Sequence, residues 1–231
     1  MSHNPDVVLL RVRGDQPLGV LLGDGRQLPP ESPSAVGELR RLAQGYTNSY
    51  LAWCDERVEP YVIDPHAWVH HMRHRAEVLS LGCFQRCDLM AQSLALVDFD
   101  SPSFLKAPVD RRYPTWLVSS LGGIAHTAIF RAVGLDPSLP RLPTALIDLG
   151  CRAARAGICL YSAPSLAAGE IPLEALEGAR GRLPASDVAR LVSRLYGPKW
   201  LPFWVAGSLL CSRSLPVGAA LCGLLAERPR L

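Results

Sequence analysis

The chain has 231 residues, of which 48% are hydrophobic and 19% charged, and a formal net charge of +3. That is enough apolar material to bury a core in one ordinary domain, or in one domain with a small appendage, and it excludes disordered and collagen-like chains. The charge is too small and too dispersed to point to nucleic acid.

In chain order, Val7 to Val12 reads as a buried strand. Leu18 to Leu22 reads as a second, ending at Gly23-Asp24-Gly25. Pro29, Pro30 and Pro33 mark a loop. Ser34 is a good helix cap, and Val36, Leu39, Leu42 and Ala43 follow at helical spacing, which predicts a helix to about Gln44. Tyr50 to Cys54 is a third strand, ending in Asp55-Glu56-Arg57. Asp64 and Pro65 suit a helix start, and that helix is expected to end before Glu77. Val78 to Leu81 is a short strand, and Asp98 to Pro114 is a polar, proline-broken loop. Helices are predicted over Gly122 to Val133 and over Pro143 to Ala156, each stopped by glycine, followed by a strand over Ile158 to Tyr161. Pro184 to Tyr196 is an amphipathic helix with Val188, Leu191, Val192 and Leu195 on one face. Strands alternating with helices predict an α/β layer with a mainly parallel sheet flanked by helices.

From Trp200 to Ala226 only Arg213 is charged. Two apolar halves, Leu201 to Ser212 and Leu215 to Ala226, are each short of the ~20 residues that cross a bilayer. Three readings are open: a shallow membrane-contacting hairpin, a single span with Arg213 near its middle, and a buried helical pair. Arg190, Arg194 and Lys199 before the stretch, with Arg228 and Arg230 after it, favour an anionic membrane surface as a partner. Seven scattered cysteines and a polar start over Met1 to Asp6 favour a reducing, cytoplasmic setting, to which the apolar stretch over Trp200 to Ala226 adds the option of peripheral attachment to the inner membrane face. Cys83 and Cys87 are four apart, but no second pair completes a zinc ligand set.

Several groups of residues have chemistry to offer. Asp55 ends a buried strand, where open α/β sheets bind ligands, and such an acid can hold a divalent cation that bridges a diphosphate; otherwise it is a solvated turn. Gly122 and Gly123 permit close backbone approach to a ligand. Arg111 and Arg112, with Tyr113 and Trp116, offer two guanidinium groups and two aromatic rings to a diphosphate and a sugar face. His66, His70 and His74 would form one stripe on an α-helix, although no acidic residue interleaves as a further metal ligand. Gly-x-Ser-x-Gly, the phosphate loop and Gly-x-Gly-x-x-Gly are all missing, which removes support for serine hydrolases and for dinucleotide or NTP enzymes.

The order of these segments resembles the GT-A fold of family 2 glycosyltransferases, inverting enzymes that use nucleotide-sugar donors. Asp55-Glu56-Arg57-Val58-Glu59-Pro60 falls where the family has Asp-x-Asp. Ala132-Val133-Gly134-Leu135-Asp136 resembles its Val-Gly-Gly-Phe-Asp, and Asp148-Leu149-Gly150-Cys151-Arg152 its Asp-Leu-x-x-Arg. Ala156-Gly157 through Tyr161-Ser162-Ala163-Pro164 resembles its Ala-Gly turn and the following strand. The similarity covers residues 18 to 168. It implies a Rossmann-related GT-A-like domain over 1–182, short at its N-terminal end, with amphipathic and apolar helices over 183–231. It also implies a nucleotide-sugar partner, a manganese or magnesium ion on Asp55, and a lipid, peptide or saccharide acceptor. Asp24, Asp55, Arg57, Arg111, Arg112, Trp116, Gly122 and Gly123 would bind the nucleotide-sugar, and Asp148 would be the catalytic acid or base.

The departures are chemical. Arg57 replaces the second acid of Asp-x-Asp, and Ala145-Leu146 replaces the Glu-Asp pair that holds the base. Inverting transfer needs a base for the acceptor hydroxyl and positive charge on the leaving diphosphate. Leu146 cannot take a proton, and Asp148 lies two residues beyond the base position. Arg57 can substitute for a cation's charge. Two expectations follow: a transferase working through a displaced acid, or a protein that keeps the fold and binds a ligand or partner protein without turnover.

Overall fold

The computed structural model describes residues 6–81, 111–115, 117–172, 174–175, 184–212 and 216–225. Trp116, Arg213, Cys83, Cys87 and most of the expected loop over 98–114 lie outside them. The described residues fall into two compact units.

The first unit is an eight-stranded sheet in the order β3-β2-β1-β4-β7-β5-β8-β6. Its strands are β1 (Val7–Arg13), β2 (Gln16–Leu22), β3 (Gln27–Leu28), β4 (Tyr50–Asp55), β5 (Glu77–Ser80), β6 (Tyr113–Pro114), β7 (Gly122–His126) and β8 (Cys159–Ser162). The sheet is mixed, which corrects the expectation of a mainly parallel one. Of the seven pairings among the described strands, only β1 with β4 and β5 with β8 are parallel. A two-residue turn, Gly14-Asp15, joins Arg13 to its partner Gln16. So tight a link allows only an antiparallel pair, and Gly14 takes the positive φ of 61° that such turns favour. Gly122 to His126 is strand where a helix is expected. The helix starts only at Thr127, capped by the His126 ring, whose Nδ1 accepts from the Ala128 amide at 3.1 Å.

Side chains alternate across the strands. Val7, Leu9, Ala52, Cys54, Leu79, Leu81 and Ile124 face one side, where Trp68, Val69 and Leu166 close a core. Those covering residues come from short 3-10 segments, Pro65–His71 and Pro164–Leu166. Asp64 caps the first of these, as its sequence suggests, but the segment is 3-10 and not α-helical. Against the strands from their other face pack α1 (Ala35–Gly45), α2 (Thr127–Val133) and α3 (Leu142–Arg155). The Ser34 hydroxyl caps α1 by accepting from the Gly37 amide.

One turn residue ties the layers together. The Asp15 carboxylate accepts from the Leu142 amide at 2.8 Å and lies 3.2 Å from Arg141, so it caps α3 from a distant hairpin. Its backbone carbonyl accepts from Ala35, the first residue of α1. Asp15→Ala is expected to lower folding stability by about 1–2 kcal/mol, the usual value of a lost helix cap. Urea denaturation reads this directly, and an unchanged midpoint would show that the cap contributes nothing.

The second unit holds α4 (Ala185–Tyr196), α5 (Leu201–Ser212) and α6 (Val217–Leu224). Val188, Leu191, Val192 and Leu195 of α4 are buried, as their spacing predicts. Gly223 lets α6 cross α4 closely, since a Cβ there would stand 2.7 Å from the Ala189 carbonyl oxygen. At 1.5 Å per residue α5 and α6 reach only about 18 and 12 Å. Among the described residues no helix is long and apolar enough to cross a membrane.

Candidate functional site

Strand register locates the carboxyl edge of the sheet. Val12 pairs with Asp55 and Ser80 with Ser162, so β1, β4, β5 and β8 all end there. β7 runs the other way and starts there, with Gly122 opposite Cys54 and the Leu121 carbonyl accepting from the Asp55 amide.

Asp55 is 2% exposed and its carboxylate is fully engaged. Oδ1 accepts from the Arg57 amide at 3.0 Å and from Arg57 Nε at 2.8 Å. Oδ2 accepts from Arg57 Nη2 at 2.7 Å and from the Gly14 amide at 2.9 Å. The guanidinium thus grips both oxygens in a fork, the strongest geometry open to this pair. The carboxylate in turn pushes the Arg57 pKa further up, mainly through that hydrogen bond and against the opposing effect of burial. Two further pairs flank it. Arg13 bonds Glu56, and Arg11 donates to Glu59 at 2.7 Å. Three acids and three arginines therefore pair with one another around the end of β4.

A divalent cation does not fit this arrangement. A metal needs carboxylate lone pairs, and Asp55, the acid that ends β4, has both oxygens on a guanidinium, while Glu56 and Glu59 are paired with Arg13 and Arg11. Among the described residues no three His, Cys, Asp or Glu side chains converge as a ligand set. The histidine stripe is not formed either. A 3-10 segment has three residues per turn, so His66 and His70 do not stack, and His74 lies past its end.

The other predicted site residues are scattered. Asp24 lies in the turn after β2, whose Leu22 pairs with Val8 at the opposite end of β1. Four residues of strand, about 13 Å, separate that level from Asp55. Asp24 is exposed and bonds Arg26, whose amide and guanidinium hold its carboxyl below the ordinary value. Asp148 is completely buried within α3 and binds Arg152 at 2.7 Å. Arg152 also donates to the carbonyls of Val133 and Gly134 at the end of α2. The pair is a clamp between two helices.

Arg112 turns to Glu77, the first residue of β5, at 2.9 Å, and its guanidinium stacks 3.8 Å over the Tyr161 ring. It also donates to the His71 carbonyl. Arg111 is exposed beside it. Gly122 and Gly123 do reach the carboxyl edge, but aromatic rings fill the space above them. A Cβ on Gly122 would stand 3.0 Å from Trp68 and 2.7 Å from Leu81; one on Gly123 would stand 2.5 Å from Trp53 and 2.6 Å from the Leu79 carbonyl oxygen. These glycines admit indoles. A shallow cleft of about 250 Å³ lies between Arg11, Leu18, Leu21 and Leu28, and none of the predicted site residues lines it.

Four residues have roles that sequence reasoning does not give them, although Glu38 is expected in the early turns of α1. Gly14 and Asp15 build the hairpin turn, and the signal was available in a Gly-Asp pair between two apolar strands. Glu38 is wholly buried and accepts from the Glu31 and Ser32 amides and from Arg41. Burial pushes its carboxyl up, but Arg41 and the amides outweigh it, so the group titrates below its ordinary value. Glu77 behaves alike, burial being outweighed by the Arg73 amide and Arg112. A single acid at the start of a helix or strand carries no sequence mark of burial.

His126 adds a pH dependence. Burial first, then Arg75, hold its pKa below 6.5. Its Nδ1 must stay unprotonated to cap α2, and the ring meets Tyr50 edge-on at 5.1 Å. The unfolded chain binds this proton more readily. Stability is therefore complete above about pH 6.5 and falls as the pH drops below it toward the folded pKa. Glu38 and Glu77, held below 4.5, lose their contributions only in more acid solution. Denaturant melts between pH 5 and 8 check this, and His126→Asn, which keeps a capping side chain, should flatten the profile. An equal slope in both proteins would show that another group is responsible.

Comparisons of the chain with protein-family models, with curated proteins and with solved structures find no match.

Proposed function

We propose that this chain is a glycosyltransferase-like protein that binds or scaffolds without transferring sugar. The observation that carries the reading is the fork between Arg57 and the buried carboxylate of Asp55. It stands where the resemblance calls for a cation, and it consumes the acid that would hold one. The second requirement of the chemistry, a proton acceptor, is met no better. Leu146 is buried and apolar, and Asp148 is buried and bound to Arg152. A general base must come within hydrogen-bond reach of the acceptor hydroxyl. A carboxylate sealed between two helices does not.

The paired charges around the end of β4 also bear on what is bound. Three acids matched by three arginines attract a free diphosphate poorly, because a site that focuses anions needs an excess of one sign. A partner protein suits such an edge better than a nucleotide-sugar. The test is release of nucleotide from UDP-, GDP- and TDP-sugars, with manganese, with magnesium and with chelator. Rates at the protein-free background are expected throughout. Turnover that disappears in Asp55→Asn or Asp148→Asn would overturn the reading.

A further inference from the structure

In the second unit, α6 crosses the apolar face of α4, yet α5 and α6 keep large apolar side chains in water. Phe203 is 60% exposed, Leu221 and Leu224 57% each, and Leu225 85%. No charged residue occurs among the described residues 200–212 and 216–225. A helix at an ordinary protein surface shows a polar face to solvent, and a helix that docks in a protein groove has one apolar stripe. Apart from Ser208, which is buried, and Ser212 at its end, helix α5 is made of apolar residues throughout.

Two more observations identify what covers it. Tyr196, Trp200 and Phe203 form a continuous row at the start of α5, with ring centroids 6.1 and 5.7 Å apart. Tryptophan and tyrosine collect at the boundary between lipid and water. Lys199, between Tyr196 and Trp200 in the chain, is exposed. Residues 184–231 carry six basic and two acidic side chains, a charge of +4 against +3 for the whole chain. The net positive charge of the chain thus falls in the residues that flank the apolar helices in sequence, as binding to an anionic bilayer requires, although Arg194 among them is buried.

We propose that α5 and α6 form a monotopic anchor that docks on an anionic phospholipid surface. Trp200, Phe203, Leu221 and Leu224 enter the boundary of the acyl layer, and Lys199 meets the headgroups. Both helices are too short to traverse a hydrocarbon core of about 30 Å, so the anchor lies in one leaflet.

Co-sedimentation of the full chain with vesicles tests this. The chain is expected to pellet with mixed phosphatidylglycerol–phosphatidylcholine vesicles, less with pure phosphatidylcholine, and less with added salt. Phe203→Glu and Leu221→Glu should each weaken binding by about tenfold or more, since a charge replaces buried apolar surface. Lys199→Gln should weaken binding to the mixed vesicles by about fivefold and leave binding to neutral ones unchanged. All three positions are exposed, and circular dichroism confirms that the variants fold. A chain that stays in solution with every vesicle would overturn the proposal. So would vesicle binding that Phe203→Glu leaves intact. A dimer in sedimentation equilibrium that Phe203→Glu dissociates, without vesicle binding, would assign the surface to a second copy instead.

Discussion

Asp148→Asn is expected to lower folding stability by about 3–5 kcal/mol, the range for breaking a buried ion pair from one side. Asp148 is inaccessible and Arg152 nearly so, with side-chain exposures of 0% and 13%. Removing the carboxylate leaves a guanidinium with two carbonyl partners in a place that water reaches only slightly. Both guanidinium contacts are to Oδ2, so the replacement amide can keep an oxygen there but not the charge. Urea denaturation measures the loss. A double variant, Asp148→Leu with Arg152→Met, should recover much of it, because it removes both charges and not one. Were Asp148 a catalytic group and not a clamp, Asp148→Asn would leave the midpoint almost unchanged.

Gly123→Ala is expected to cost about 3 kcal/mol or more, at the upper end of overpacking penalties. The added Cβ would stand 2.5 Å from the Trp53 ring and 2.6 Å from the Leu79 carbonyl oxygen. The ring is locked in turn, since Trp53 Nε1 donates to the Ser119 carbonyl at 2.9 Å and the indole meets Phe130 edge-on. The carbonyl belongs to the neighbouring strand and cannot swing aside. Gly122→Ala makes a useful contrast, because its tightest contact is the methyl end of Leu81, which can rotate. It should be the milder of the two. Equal stability of Gly123→Ala and the parent protein would show that the strand does not need the close approach.

These two sites also show where sequence reasoning ends. Helix α1 was legible because its signals are local: a serine cap and four apolar residues at helical spacing. Strands β1 and β4 were legible as apolar runs of strand length. The direction of β2 follows from the tight turn before it, and that antiparallel pair, with β2–β3 and β4–β7, makes the sheet mixed at this side. Gly122 to His126 was misread because glycine is poor in helix and strand alike. What makes it a strand is the space needed by Trp53 and Trp68, which come from distant segments. Asp55 was legible as a buried strand-end acid. Its commitment to Arg57 was not, because a charge of opposite sign two residues away reads equally as a partner or as a second ligand group. Asp24 and Asp148 are linked to the site only by order along the chain; strand register sets Asp24 at the other end of β1, and burial closes off Asp148.

Manganese binding, followed by the electron spin resonance signal of the free ion, tests the central claim most directly. If Arg57 has taken the cation's place on Asp55, the parent protein and Asp55→Asn bind the same small amount. Arg57→Asp, which frees Asp55 and adds an acid beside it, then gains a bound ion. A parent protein that binds manganese tightly, and loses it in Asp55→Asn, would contradict the account.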